Sequence, residues 1–141
     1  MKRRTALKAS LFALLATPIF AYDTTKVVNK RKMNKKDPKH PTKGELKHTP
    51  AISIGEVDKK GYLLIEVTVG EEGIIHPSTK DHWIYKIELY ANGTKVSEVA
   101  LEPTISSGYL VTKVKKEGLH TLKAVASCNL HGTWENSEVV K

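Results

Sequence analysis

The chain has little sulfur and no long apolar run. It contains one cysteine, Cys128, and two methionines, Met1 and Met33, in 141 residues. A single cysteine excludes an intrachain disulfide and a four-cysteine metal site within one chain. Hydrophobic residues make up 40% and charged residues 27% of the chain, which argues against a wholly disordered chain and against a multi-span membrane protein. The length fits one domain with an additional segment.

Acidic residues are scarce in the first third of the sequence. Residues 1–21 carry four Lys or Arg and no acid, and residues 22–48 carry nine against three acids. Residues 49–141 carry ten against twelve acids, a net charge of −2. The formal net charge of +8 therefore comes from the N-terminal third, and the rest of the chain has no basic excess that would favour a nucleic acid as partner.

Residues 1–21 have the pattern of a secretory signal peptide. A basic stretch that ends at Lys8 precedes an apolar run of about 13 residues, which is too short for a membrane-spanning helix. Arg3-Arg4 is similar to a twin-arginine signal, and an ordinary signal whose arginines only supply positive charge is the alternative. We expect cleavage after Ala21, export to the periplasm, and no membrane span in the mature chain.

Residues 22–44 are basic and show no apolar periodicity. They contain Lys30-Arg31-Lys32 and almost no large apolar side chain. The pattern predicts a solvated linker or arm. The alternative is a patch that attracts an acidic partner or an anionic surface.

Seven short runs of β type follow residue 49, separated by turn residues. They span residues 51–57, 62–69, 83–90, 95–101, 109–115, 121–126 and 134–140. Asn92-Gly93 between two of them is typical of a two-residue hairpin turn, because both of its positions need φ > 0. No window of helical period stands out after residue 21. The pattern predicts an all-β fold, an immunoglobulin-like antiparallel β-sandwich of about seven strands.

One cysteine and four histidines fall in predicted loops or loop–strand junctions. Cys128 and His131 are three residues apart, and the glycine that follows lets a turn close. His76 and His82 are six residues apart across a turn that contains a proline. Neither spacing is specific alone. Together with His48, these residues outline a mononuclear metal site of four histidines and one cysteine.

The donor types narrow the choice of metal. Five such ligands exceed the four of a structural zinc site. A blue-copper site uses two histidines, one cysteine and usually an axial methionine, and no methionine is near Cys128 in the sequence. Five borderline-soft ligands with a sixth position open suit iron. Trp83 and Trp134 adjoin proposed ligands, either as sandwich packing or as an apolar shell that limits water at the metal.

Three segments resemble the iron domain of the superoxide reductases, the neelaredoxin and desulfoferrodoxin family. They are residues 47–50, 76–84 and 128–132, and the likeness covers about residues 45–141. Because no rubredoxin-like cysteine set is present, the chain is similar to the single-centre type. The resemblance implies the same sandwich fold and one mononuclear non-haem iron per chain. It also implies the iron ligands, which are the equatorial His48, His76, His82 and His131 and the axial thiolate of Cys128.

The resemblance makes Lys47 the catalytic lysine beside the open sixth iron position. Family members commonly have Glu directly before this lysine, and its carboxylate occupies the sixth position in the oxidised state. Here Leu46 stands in that place and Glu45 is one residue earlier. Either Glu45 reaches the site by a loop shift, or water or hydroxide takes its place.

The implied reaction is superoxide + e⁻ + 2H⁺ → H₂O₂. It requires an electron donor protein, rubredoxin-like or a cytochrome, and the family implies a homo-oligomer. The alternative is an exported cupredoxin-like electron carrier or a metal-binding module without enzymatic activity. The surplus of histidines and the missing methionine argue against a carrier, and the intact ligand spacing argues against a sandwich that only binds partners.

Overall fold

The computed structural model describes residues 22–141, and seven strands of this part of the chain form two antiparallel sheets. The strands are β1 (Pro50–Val57), β2 (Tyr62–Val69), β3 (Ile84–Ala91), β4 (Thr94–Ala100), β5 (Tyr109–Lys115), β6 (Thr121–Cys128) and β7 (Gly132–Val139). One sheet has the order β1-β2-β5 and the other β4-β3-β6-β7. The prediction of a seven-stranded β-sandwich is confirmed. The predicted signal peptide, residues 1–21, lies outside the described residues.

Alternating apolar side chains of the two sheets form the core. On β2, Leu63, Ile65, Val67 and Val69 are buried, and the residues between them are at least partly exposed. This period of two is what a half-buried strand requires. On β6, the row of buried residues that continues this core is Leu122, Ala124, Ala126 and Cys128. Cys128 is therefore the last inward position of β6, and the strand carries its thiol to one end of the sandwich.

The Asn92-Gly93 turn joins β3 to β4 as the sequence predicts. Both residues have positive φ, 47° and 83°. The Asn92 side chain also ties this turn to the segment before β6, because its Oδ1 accepts the N–H groups of His120 and Thr121 at 2.9 and 3.1 Å. The turn is fixed by local backbone conformation and by these longer-range hydrogen bonds.

The N-terminal basic segment follows a defined path across the fold. Residues 28–36, which we call the basic strap, run beside the start of β7. The Thr133 N–H donates to the Arg31 carbonyl at 2.8 Å, and the Met33 N–H donates to the Thr133 carbonyl at 2.8 Å. A parallel bridge joins Lys32 to Thr133. Because β7 is an edge strand with free backbone groups, it can hold a segment that has no apolar period of its own. Within the predicted solvated linker or arm of residues 22–44, the strap is therefore an arm that backbone hydrogen bonds hold on the fold, and most of its residues are exposed.

A short helix, α1 (Lys43–His48), follows the strap and was not predicted. Thr42 is its N-cap, and Glu45 completes a capping box with it. Six residues are too few to show a helical period, so only the Thr-x-x-Glu spacing indicates this helix. Within residues 22–141, no helix has the length and apolarity needed to cross a membrane.

Candidate metal centre

Four of the five predicted ligands converge at one end of the sandwich. The ligand atoms of His48, His82, Cys128 and His131 all lie within 4.8 Å of one another. His131 Nδ1 is 3.0 Å from His48 Nε2, 3.1 Å from His82 Nε2 and 3.6 Å from Cys128 Sγ. Three ring nitrogens and one sulfur therefore face a common point, which is the arrangement a metal ion needs.

The fifth predicted ligand, His76, packs against this cluster through its ring. Its centroid is 4.8 Å from that of His48 and 4.6 Å from that of His82, both edge-on. His76 Nε2 is buried and has no hydrogen-bond partner among the described residues. A buried polar atom without a partner costs about 1–3 kcal/mol. A metal ion held by the cluster would give this nitrogen the partner that the protein does not provide.

Backbone carbonyls orient two of the imidazoles. His48 Nδ1 donates to the Gly44 carbonyl at 2.6 Å, and His76 Nδ1 donates to the Pro77 carbonyl at 2.7 Å. A ring nitrogen that donates to a carbonyl carries the proton, so the Nε2 atom of each ring keeps its lone pair. The protein thus fixes the tautomer in which Nε2 can bind a metal.

Burial keeps the imidazoles neutral. It is the largest cause that lowers the pKa of His48, and it lowers the pKa of His76 to about 3 and that of His82 to about 4. Burial also raises the pKa of the Cys128 thiol. Neutral imidazoles are ready to bind a cation at pH 7, whereas the thiolate needs a nearby cation to offset its desolvation.

The turn between β6 and β7 sets the positions of Cys128 and His131. Gly132 has φ 81°, which a side chain would strain. A Cβ at Gly132 would lie 2.5 Å from the Arg31 carbonyl oxygen and 2.8 Å from Met33 Cγ. The strap therefore passes directly over the ligand turn. The strap also brings Met33 to this turn. The sequence argument that no methionine is near Cys128 is therefore wrong for the folded chain. The excess of histidines remains the argument against a blue-copper site.

The two tryptophans have different roles. Trp134 stacks on His48 with ring centroids 5.5 Å apart, and its Nε1 donates to the His131 carbonyl at 3.0 Å. It forms an apolar wall beside the ligand cluster, as the second interpretation of the sequence proposed. Trp83 is fully buried and packs edge-on to Tyr22, with centroids 6.3 Å apart, so it contributes to the interior.

Asn129 is a positioning residue that sequence reasoning missed. Its side chain is only 1% exposed and makes three hydrogen bonds. Oδ1 accepts the backbone N–H of Trp83 at 2.9 Å, and Nδ2 donates to the backbone carbonyls of Asp81 and Lys26 at 3.0 and 3.2 Å. Asn129 thus joins the Cys128 turn to the backbone on both sides of His82. The signal in the sequence was its place between Cys128 and His131.

Lys47 lines the pocket that opens beside the ligand cluster. The pocket has a volume of about 440 Å³, and its walls include His48, His82, His131 and Trp134. Strap residues line the pocket as well, among them Met33 and Lys36. His131 is the exposed member of the cluster. A small molecule in this pocket therefore meets the ligand cluster and the Lys47 amine together.

The Glu45 carboxylate is bound to backbone groups and is not free to take the sixth iron position, which the sequence analysis considered for it. Its Oε1 accepts the Lys36 N–H and its Oε2 accepts the Thr42 N–H, both at 2.7 Å. These two hydrogen bonds are the largest causes that lower the Glu45 pKa. The carboxylate is the capping-box group of α1 and the anchor of the strap, so the loop shift considered for it does not occur in this structure.

The donor set fits one iron ion. Three imidazoles and one thiol offer ligand atoms within 4.8 Å of one another, and the ring of His76, whose Nε2 has no partner among the described residues, packs against His48 and His82. The set exceeds the four ligands of a structural zinc site and has two more imidazoles than a blue-copper site. The residues that would hold the ion are those that the sequence indicates: His48, His76, His82, Cys128 and His131.

Comparison with known proteins agrees with this site. The Desulfoferrodoxin family profile matches residues 39–137. The superoxide reductase of Pyrococcus furiosus is 38% identical over 118 residues, which covers 67% of this chain and 87% of the relative. That of Pyrococcus abyssi is 42% identical over 106 residues, covering 67% and 86%.

Solved structures show the same architecture. The superoxide reductase (neelaredoxin) of Ignicoccus hospitalis is 31% identical and aligns with a TM-score of 0.54 over 67% of this chain and 80% of that one. The superoxide reductase of Nanoarchaeum equitans is 26% identical, with a TM-score of 0.59 over 67% and 93%. The sandwich, the ligand cluster and these matches together show that the chain belongs to the desulfoferrodoxin family.

Proposed function

We infer that the chain is a superoxide reductase, which reduces superoxide to hydrogen peroxide with one electron and two protons. The observation that carries this function is the convergence of four donor atoms within 4.8 Å, at the wall of an open pocket that also holds Lys47. Iron, when bound, supplies the one-electron couple. His48, His76, His82, His131 and Cys128 would hold it.

The residues of the pocket favour a small anion. The imidazoles add no negative charge, and the one carboxylate that lines the pocket, Glu45, is bound by two backbone N–H groups. The Lys47 amine places a positive charge at the pocket, which raises the local concentration of superoxide. Trp134 stacks on one face of His48 and closes that face to the substrate. Lys47 also orders the solvent that delivers protons.

Solvent, rather than Glu45, fills the pocket beside the ligand cluster in the oxidised protein. The support is the capping box, because moving the Glu45 carboxylate would leave the N–H groups of Thr42 and Lys36 without their acceptor. Of the two alternatives that the sequence analysis left for this position, we therefore favour water or hydroxide over Glu45, which leaves the pocket open to the substrate.

The reaction consumes an electron, so a donor protein is part of the proposed function. A rubredoxin-like protein or a cytochrome has the required one-electron chemistry. Export to the periplasm and a homo-oligomeric state remain proposals that rest on the sequence pattern and on the family. Cell fractionation with N-terminal sequencing tests the first, and Tyr22 is the expected first residue of the mature chain. Light scattering of the purified protein tests the second.

Product stoichiometry tests the proposed function directly. Pre-reduced, iron-loaded protein should form one hydrogen peroxide per superoxide and release no oxygen, whereas a dismutase forms one peroxide and one oxygen from two superoxides. A cupredoxin-like carrier or a plain metal-binding module would not consume superoxide faster than buffer does.

Replacing Lys47 tests its steering role. We expect Lys47→Ala to lower the second-order rate constant with superoxide by about tenfold at low salt, because one positive charge at the pocket is lost. The matched control is Lys59→Ala, in the exposed turn between β1 and β2. Stopped-flow mixing with superoxide measures both. An unchanged rate in Lys47→Ala would contradict the role.

A further inference from the structure

The basic strap lies before residue 39, where the match to the family profile begins. It is nevertheless anchored to two segments that carry ligands. Its backbone bonds to Thr133, beside the Cys128 turn, and the Lys36 N–H donates to Glu45 in α1. Lys35 adds an ion pair with Glu71 at 2.5 Å. The path of the strap is therefore fixed by hydrogen bonds that do not use most of its charges.

Most of those charges are unpaired. Residues 26–47 contain nine Lys or Arg and two acids, a net charge of +7. Lys26, Lys32 and Lys35 pair with acids. The remaining cations have no acidic partner within ion-pair distance among residues 22–141, and they are Lys30, Arg31, Lys36, Lys39, Lys43 and Lys47.

The two acids of this stretch do not neutralise them. The Asp37 carboxylate bonds to the His40 ring and the Lys39 N–H, and the Glu45 carboxylate bonds to two backbone N–H groups. Residues 49–141 carry −2 in total, so the excess of positive charge among residues 22–141 comes from this stretch. The same stretch borders the pocket, because Lys36 and Lys47 line it together with the exposed His131.

We propose that the strap and α1 form a docking face for an acidic one-electron donor protein. The inference rests on the proposed function, which needs an electron at the ligand cluster in each cycle. A donor has to approach the exposed edge of His131, and the cations around that edge would steer a partner of opposite charge. An anionic membrane is disfavoured because a lipid surface supplies no electron to the pocket. In each cycle one electron passes from the reduced donor to the oxidised protein, and the donor leaves oxidised by one electron.

A charge reversal with a matched control tests the face. Lys30→Glu/Lys43→Glu, which we call the strap variant, reverses two unpaired charges outside the ligand cluster, one in the strap and one in α1. The control, Lys59→Glu/Lys60→Glu, makes the same change in the turn beyond the far end of β1. Since β1 has eight residues that each add about 3.3 Å, this turn lies about 25 Å from the metal end of the strand. The probe is cytochrome b5, an acidic haem protein, and the basic cytochrome c is its counterpart of opposite charge.

Binding of oxidised cytochrome b5 to the oxidised, iron-loaded protein is measured by titration at low salt, where no electron passes. We expect the strap variant to bind at least about tenfold more weakly than the parent and the control variant within twofold of it, with parent affinity falling steeply as salt rises. Equal weakening in both variants would overturn the proposal. So would an absence of parent binding to cytochrome b5, or parent binding to phosphatidylglycerol vesicles in its place.

Superoxide consumption by the pre-reduced proteins separates this inference from the proposed function. The strap variant should react with superoxide at the parent rate. A loss equal to its loss of cytochrome binding would mean that the strap steers the substrate, which would overturn the docking face. If the parent itself consumed no superoxide, the proposed function would fail whatever the binding result.

Discussion

The two ends of the sandwich differ in how their polar atoms are hydrogen-bonded. We call the end that holds Asp58 and the Asn92-Gly93 turn the turn end, and the end that holds the ligand cluster the metal end. At the turn end, Asp58 accepts the N–H groups of Lys60 and Tyr62 at 2.9 and 3.0 Å, and the Lys113 amine at 2.7 Å. Asn92 there uses both its oxygen and its nitrogen on backbone groups. At the metal end, by contrast, ring nitrogens face one another and His76 Nε2 has no partner. The buried unpartnered side-chain atoms of residues 22–141 belong to His76 and Trp83, both near this end.

This difference shows where the fold gives up stability for function. The turn end closes its hydrogen bonds internally, as folded proteins ordinarily do. The metal end leaves the His76 Nε2 atom without a hydrogen-bond partner, and surrounding groups, among them Asn129, Glu45 and Trp134, hold the ligand segments in place. Substitutions should therefore act mainly on stability at the turn end and mainly on metal retention at the metal end.

The largest effect is expected at His76. His76→Ala removes an imidazole whose Nε2 has no protein partner, so metal affinity should fall by more than the roughly 10–100-fold that loss of an outer partner costs. The apo-protein should lose little stability through hydrogen bonding, because only the bond to the Pro77 carbonyl is lost. Metal release to a chelator measures the first effect and thermal unfolding of the apo-protein the second.

The control for this prediction is His120→Ala. His120 is exposed and lies at the turn end, so its loss should leave metal release unchanged. Equal chelator rates for the two variants would mean that His76 is not a ligand and that its ring only fills space beside His48.

The next effect is expected at Asn129. Asn129→Ala removes three buried hydrogen bonds and leaves the Trp83 N–H without an acceptor, which should lower the free energy of unfolding by about 2–4 kcal/mol. Metal affinity should fall as well, because the backbone around His82 loses its link to the Cys128 turn. Urea unfolding and metal titration measure the two losses.

Asn136→Ala is the matched control, because its amide makes only a long hydrogen bond to Glu71, at 3.4 Å, and an exposed one from the N–H of the adjacent Ser137, at 2.9 Å. It should cost less than about 1 kcal/mol. Asn129→Asp keeps the acceptor for the backbone N–H of Trp83 but turns a buried oxygen toward the carbonyls of Asp81 and Lys26, so it should be no more stable than Asn129→Ala. If all three variants were equally stable, the linking role of Asn129 would be wrong.

A smaller effect is expected at Glu45. Glu45→Gln leaves one oxygen to serve two backbone donors, so the melting temperature should fall by a few degrees, while the exposed Glu56→Gln should not change it. The visible spectrum of the oxidised, iron-loaded protein should be the same in both variants. A changed spectrum in Glu45→Gln alone would show that this carboxylate reaches the metal after all.

The smallest effect is expected at Asp58, and it depends on pH. The bond from Lys113 is the largest cause that lowers the Asp58 pKa, from 3.8 to about 2. Its contribution to stability is therefore complete above pH 3.8 and is lost as the pH falls toward 2. The parent should be more stable than Asp58→Asn at pH 6, and the difference should shrink between pH 4 and pH 2. Urea unfolding across this range measures it, and a difference independent of pH would refute the assignment.

Much of the fold follows from local patterns. The strands were predicted to within about two residues of most of their ends, because alternation and turn residues are local signals, and the Asn92-Gly93 hairpin is as expected. The ligand cluster followed from the three resembling segments. His48, His82, Cys128 and His131 do converge, and His76 packs against them.

The contacts around the ligands could not be predicted in the same way. The strap lies on β7 through backbone hydrogen bonds, and any sequence can form these. Glu45 is committed to a six-residue helix too short for a periodic signal. Asn129 bonds to residues up to 103 positions away, and its neighbours in the sequence do not reveal those partners. Each of these depends on which segments meet in space.

Metal analysis with a visible spectrum, on the parent and on Cys128→Ser, tests the central claim most directly. A thiolate bound to oxidised iron gives a charge-transfer band in the visible region. We predict about one iron per chain, a visible band that appears on oxidation of the parent, and no such band in Cys128→Ser, with Ser127→Ala like the parent. Stoichiometric copper, or no metal in protein expressed with ample iron, would contradict the account.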